Sequence, residues 1–353
     1  MKSYISLVAV VLLTLQFGVA FGGALPSRGK CGIEGVRVLR EWLSKCTPRS
    51  YYGIQTITVM WGEGRKKIWK WRVWHDASGK ARMEIVEPAN LKGAVVISDG
   101  QTTWRISSGG KVAIQVDDKL RAPWDVRIER FDLLAQNYKV TLVGMEEVAG
   151  RDCQVFSIEP YHSFNPSLKL WLDVKIPIQL RFESYNPDGS MAWKMEYEEI
   201  KFDEPIPSSL FQPNLPKDCK IIKSAFSRQG PFKLSELPTS LGFPVLLPTA
   251  LPPGYVFDRA FVISSSMGWD KPMLHLIYTN GINVISVFEH RIAKGEKRHR
   301  QRGEQRKHGM ERWMSPFYWQ NVVRRTVGDV EVVLISRLPK PMLEKVADSI
   351  SVR

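Results

Sequence analysis

The residues with the chemistry to act on a substrate are few, and their spacing does not suit it. His75-Asp76 and Glu289-His290 are adjacent pairs in stretches that read as strand or turn. Their side chains therefore point apart, and neither pair forms a general-base dyad. The sequence holds no Gly-x-Ser-x-Gly elbow, no His-Glu-x-x-His helix and no phosphate-cradling glycine loop. His290, His299 and His308 sit in or beside a basic stretch that repels cations. Cys31, Cys46, Cys153 and Cys219 show no Cys-x-x-Cys spacing, so neither a metal nor another cofactor is expected. Four cysteines would instead suit one or two disulfides in an oxidising compartment, with three pairings open. The expectation is a binding protein with no catalytic residues.

The side chains suited to binding are of two kinds. Trp69, Trp71, Leu180, Phe182, Met191, Trp193 and Met195 recur at strand spacing. They would line an apolar face able to take acyl chains, or would pack as ordinary core. The second kind is cationic. From Arg291 to Arg312 there are nine Lys or Arg against three Glu, among them Lys294, Lys297, Arg298, Arg300, Arg302, Arg306 and Lys307. That insertion reads as an anion-binding element or as a solvated loop. A formal net charge of +14 implies attraction to something acidic, such as an anionic lipid surface or an acidic protein face, and nucleic acid is not expected for an exported chain.

Export is read from the first residues. Lys2 precedes the apolar run Ile5 to Val19, and Phe21-Gly22-Gly23-Ala24 offers small residues for cleavage, so residues 1–24 are expected to be a signal peptide. The apolar run is shorter than a spanning helix needs. No later segment reads as crossing a membrane, so a soluble extracytoplasmic protein is expected.

The elements that must position the apolar side chains are strands. Leu168, Leu170 and Leu172 alternate with Lys169 and Asp173, and Ile178, Leu180 and Phe182 alternate with Gln179, Arg181 and Glu183. Met191, Trp193, Met195 and Tyr197 repeat the pattern. Asn186-Pro187-Asp188-Gly189 predicts an antiparallel hairpin between the last two strands. Glycine-marked turns divide Ile54 to Val116 into a meander. Helices are predicted over 33–45 and near 127–136, as lids for the sheet. If 33–45 is helical, Cys31 and Cys46 lie about 22 Å apart at 1.5 Å per residue and do not pair. Prolines recur from Pro213 to Pro253, which predicts an extended linker over 213–250. Further strands are predicted from Val256 to Ser336, with a two-residue turn at Asn280-Gly281, and a final helix carries Leu343, Val346, Ala347 and Ile350.

Two stretches resemble known families. Leu170-Trp171-Leu172-Asp173, Ile176-Pro177-Ile178-Gln179-Leu180-Arg181, Tyr185 with Pro187-Asp188-Gly189, and Pro207 to Pro213 are similar to the closing strands of the LolA/LolB-like lipoprotein-binding superfamily. That resemblance implies an incomplete antiparallel β-barrel wrapped over helices. Leu251-Pro252-Pro253-Gly254-Tyr255, Leu276 to Gly281 leading into Ser286-Val287-Phe288-Glu289, and Val327 to Val333 resemble the C-terminal domain of the RseB/MucB regulators.

The expected organisation is therefore α+β. Residues 25–212 form a LolA/LolB-like half-barrel, 213–250 a Pro-rich linker, and 251–353 a smaller antiparallel sheet with a covering helix and the basic insertion 291–312. The family resemblance implies a periplasmic regulator. It would bind the extracytoplasmic segment of a membrane-spanning anti-sigma factor, shield it from proteolysis, and sense lipid, lipopolysaccharide or an acylated lipoprotein. A lipoprotein or lipid carrier of the LolA/LolB type is the alternative.

Overall fold

Alternation with a period of two organises most of the chain into strands. The computed structural model describes residues 30–44, 49–61, 64–116, 128–224, 226–238, 241–265, 272–292 and 320–352. The expected signal peptide, Cys46 and the cationic residues from Lys294 to Lys307 lie outside them. The described residues divide into two compact units between Ala225 and Phe226.

In the first unit, helix α1 (Lys30–Ser44) precedes β1 (Tyr51–Trp61), β2 (Arg65–His75), β3 (Ala81–Glu87), β4 (Val95–Ser98), β5 (Thr103–Ile106) and β6 (Val112–Val116), a continuous antiparallel meander. A short helix, α2 (Phe131–Asn137), leads into a second meander. Its strands are β7 (Tyr138–Val148), β8 (Arg151–Pro160), β9 (Ser167–Asp173), β10 (Gln179–Tyr185) and β11 (Met191–Phe202). Antiparallel pairing of β1 with β11 fuses the two meanders into one sheet. With β12 (Lys220–Ser224) the order is β12-β6-β5-β4-β3-β2-β1-β11-β10-β9-β8-β7. Among the described residues it ends on two unjoined edges, β12 and β7, as an incomplete barrel requires.

Local chemistry explains several joints. The β10–β11 hairpin turns as its residues predict: Gly189 has φ +82°, and Asp188 Oδ1 accepts from the Ser190 amide at 2.9 Å. Helix α1 lies along β7, with Val36 and Leu39 buried. Gly35 permits that approach, because a Cβ there would fall 2.0 Å from the Val140 carbonyl oxygen. Trp42 Nε1 donates to the Asp173 carbonyl at 3.1 Å, which ties the helix end to the sheet. The second helix is shorter than 127–136 and begins only at Phe131, after Arg130 with non-helical backbone angles (φ −103°, ψ 71°); the Arg130 guanidinium lies 2.6 Å from the Asp132 carboxylate.

The stretch 213–250, expected as a linker, carries structure instead. Residues 220–224 pair in parallel with β6 as β12, satisfying backbone groups that an edge strand leaves open. Leu215 and Cys219 pack against Val95, Ile97, Ile106 and Ala113. The chain then crosses into the second unit, whose first strand, β13 (Phe226–Phe232), also lies inside that stretch.

The second unit is a six-stranded antiparallel sheet. Its strands are β13, β15 (Val256–Ser265), β16 (Met273–Thr279), β17 (Val284–Arg291), β18 (Asn321–Val327) and β19 (Val330–Ser336), in the order β13-β15-β16-β17-β19-β18. A small ladder joins β14 (Leu246–Pro248) to β20 (Ile350–Val352), and helix α3 (Lys340–Asp348) packs on β18 and β19. Leu343, Val346 and Ala347 are buried as their spacing predicts, whereas Ile350 belongs to β20. The Asn280-Gly281 turn differs from its two-residue expectation. Thr279 pairs with Val284, leaving a four-residue loop. Asn280 Oδ1 accepts from the amides of Ile282 and Asn283 at 3.2 and 2.8 Å, so the side chain closes the loop and only Gly281 takes a positive φ.

Candidate apolar binding face

The larger sheet segregates its side chains by face. On one side, Trp69, Ile57, Met195, Phe182, Leu170 and Phe156 stand in direct register across β2, β1, β11, β10, β9 and β8. All six are buried. A second row runs Ile85, Trp71, Gln55, Tyr197 across β3, β2, β1 and β11. A third runs Val59, Trp193, Ser184, Leu168, Ile158 and Val140. The Phe182 and Trp193 rings lie 4.3 Å apart between rows.

The other face carries charge. Lys70 pairs with Glu198 at 2.6 Å, Arg181 reaches Glu183 and Glu196, and Lys194 pairs with Glu196 at 2.6 Å. The Arg181 guanidinium stacks 4.2 Å from the Trp171 ring, whose Nε1 donates to Glu146 at 2.7 Å. Tyr185 donates to Glu183, and burial, then that carboxylate, push the phenol up to about 12. These charges satisfy one another along and across strands, so this face needs no further ligand to pair them.

The structure therefore brings Trp69, Trp71, Leu180, Phe182, Trp193 and Met195 together as buried residues of one face. Met191 is half-buried at the start of β11, opposite Tyr185 and past a register shift in the β10–β11 ladder. Sequence reasoning passed over Gln55. It alternates with Ile57 and Val59, so the period of two already placed a polar amide among apolar positions.

The pairs weighed for catalysis have structural contacts. His75 stacks on Tyr51 with centroids 5.2 Å apart and its Nδ1 lies 3.3 Å from the Arg49 carbonyl. Asp76 Oδ1 accepts from the Ser78 and Lys80 amides in the β2–β3 turn. His290 faces Glu331 at 3.4 Å. Glu289 is buried on the opposite side of its strand, with Oε2 accepting from the Leu246 amide at 3.1 Å. Among the described residues, no three His, Cys, Asp or Glu side chains converge as a metal site would require. Cys153 and Cys219 are both free thiols; burial pushes the first up to about 12. No helix of the described residues is long and apolar enough to cross a membrane.

Residues 53–215 match the family model described as the MucB/RseB N-terminal domain. The sigma factor AlgU regulatory protein MucB of Pseudomonas aeruginosa is 26% identical over 220 residues, which span 61% of this chain and 63% of that relative. The fold is similar to a crystal structure of MucB, with TM-score 0.54 at 18% identity, covering 91% of this chain and 98% of that one. It is also similar to the Pseudomonas aeruginosa MucA/MucB complex, with TM-score 0.55 at 19% identity over 91% and 99% of the two chains. A structure of MucB with MucA(peri) gives 0.54 at 21%, covering 91% and 99%. Over residues 53–215, then, the chain is similar to the MucB/RseB N-terminal domain, and its fold is similar to that of MucB.

Proposed function

We propose that this chain is an exported, non-enzymatic regulator that binds the extracytoplasmic segment of a membrane-spanning anti-sigma factor. In binding, it would shield that segment from proteolysis, and it would release it in response to lipid, lipopolysaccharide or acylated lipoprotein. The observation that carries the reading is the MucB/RseB N-terminal domain over 53–215, in a fold like that of MucB, which is solved together with MucA. In this reading residues 1–24 are removed on export, and the chain works in the periplasm. The half-barrel over 25–212 holds acyl chains on the face bearing Trp69, Trp71, Leu180, Phe182, Met191, Trp193 and Met195. The unit beyond residue 250 supplies much of the partner surface.

Ligand and partner would oppose each other through one coupling free energy, which is reciprocal. A coupling of ~1 to 3 kcal/mol weakens each by roughly 5 to 150-fold, enough to switch occupancy near the dissociation constant. The test is to capture the chain on the extracytoplasmic segment of a candidate anti-sigma factor and titrate lipopolysaccharide. Release of the segment, with its protease protection lost in step, is the expected result. The continuous apolar row from Trp69 to Phe156 favours one rival, a lipid or lipoprotein carrier of the LolA/LolB type. Tight lipid binding with no affinity for any such segment would establish the carrier instead.

A further inference from the structure

The apolar face also carries buried polar groups. Gln55 is fully buried, and neither its Oε1 nor its Nε2 has a hydrogen-bond partner among the described residues. Strand register sets it between Trp71 on β2 and Tyr197 on β11. The β1–β11 ladder shifts by one residue between Ile54 and Gln55, an irregularity of the kind that re-aims a side chain. One step along the same face, Trp69 is buried too, and its Nε1–H likewise has no hydrogen-bond partner among the described residues. Buried polar groups are nearly always paired, because an unpaired one forfeits its hydration with no return. Two such groups on one face of one hairpin point to a missing partner.

The chemistry of that partner follows from the groups. Gln55 offers two N–H donors and a carbonyl acceptor, and Trp69 offers one donor. Ile57, Trp71 and Tyr197 around Gln55 carry no charge, and the Lys67 ammonium on this face lies 4.6 Å over the Trp69 ring, two rows along the register from Gln55, so a neutral group suits the position beside Gln55 itself. A complementary ligand is apolar on both sides of a neutral group that both accepts and donates. A secondary amide does this: its C=O accepts from Gln55 Nε2 or Trp69 Nε1, and its N–H donates to Gln55 Oε1. An ester of the same shape accepts but cannot donate.

We propose that this face binds amide-linked acyl chains, with Gln55 distinguishing the amide from an ester. The inference rests on the lipid-responsive reading above and adds the linkage to it. The test uses the full chain and two probes that differ by one atom, N-dodecanoylethanolamine and 2-hydroxyethyl dodecanoate, with binding followed by tryptophan fluorescence. One added hydrogen bond should make the amide bind about fivefold tighter. Gln55→Met, and Gln55→Leu as a second variant, should bind both probes with that preference abolished, and should melt no lower than the parent. Equal affinities in the parent, or a preference that survives both substitutions, would overturn the assignment while leaving lipid binding intact. Binding of neither probe by the parent would remove the lipid-responsive reading, and this inference with it.

Discussion

The second unit should lose stability as pH rises through neutrality, and the size of the loss can be worked from two side chains. Glu289 and His275 are fully buried on opposite faces of the sheet, in β17 and β16. Burial pushes the Glu289 carboxyl from 4.5 up to about 8, against the opposing pull of the Leu246 amide. Burial, and secondly the Arg228 charge, hold the His275 imidazole well below 6.5; the ring stacks on Phe288 at 4.2 Å. The signs are opposite. A raised carboxyl gives stability that is complete below pH 4.5 and is lost as pH climbs to about 8. A depressed imidazole gives stability that is complete above 6.5 and is lost as pH falls toward its folded value.

At about 1.4 kcal/mol per pH unit, Glu289 alone accounts for roughly 5 kcal/mol between 4.5 and 8. Where both groups act the slopes cancel. Above 6.5 only the Glu289 slope survives, so the unit should lose about 2 kcal/mol on going to pH 8. The measurement is amide hydrogen exchange at Leu276 and Val287, which pair across β16 and β17, corrected for intrinsic rates. Glu289→Gln should abolish the loss above 6.5 and expose a decline toward acid, whereas His275→Phe should extend the alkaline decline down to pH 4.5. A parent whose protection is level from pH 6.5 to 9, or a Glu289→Gln variant that keeps the alkaline slope, would refute the reasoning.

Three further outcomes are expected. Gly35→Ala drives a methyl group into the Val140 carbonyl, a backbone atom with no room to yield, and should cost about 3 kcal/mol. The melting temperature of the first unit should then fall by about 6 to 12 °C, and a shift within a degree or two would mean that α1 does not pack as described. Cys153, pushed from 9.0 to about 12, holds about a thousandfold less thiolate than an unperturbed thiol at neutral pH. Iodoacetamide should label half-buried Cys219 first and leave Cys153 until the protein unfolds, and labelling in the reverse order would contradict the burial of β8. As a hypothesis from its charge, deletion of residues 293–312 should weaken binding to anionic vesicles at low salt and leave the melting temperature nearly unchanged. Arg291 should be kept, since it ends β17 and bonds Asp329 and the Gly242 carbonyl, and unfolding of the second unit by the deletion would rule the electrostatic role out.

Short-range physics wrote much of this protein into its sequence. The period of two in β9, β10 and β11, the Pro-Asp-Gly turn between the last two, and the Val36 and Leu39 stripe of α1 each depend on neighbours within a few residues. The rows through Trp69, Trp71 and Trp193 could be placed on one face for the same reason, since alternation fixes the side of a strand. Tertiary structure decided what depends on distant partners. Pairing β1 with β11 joins Ile57 to Met195 across more than a hundred residues, and no local signal states that register. Residues 220–224 look like linker until the open edge of β6 offers them backbone partners. Gln55, His275 and Glu289 are ordinary polar residues at alternating positions, and the sequence determined their side of the sheet. Their burial was decided by what the folded chain packs against them, and that loss of water is what makes an amide, an imidazole and a carboxyl into groups with consequences.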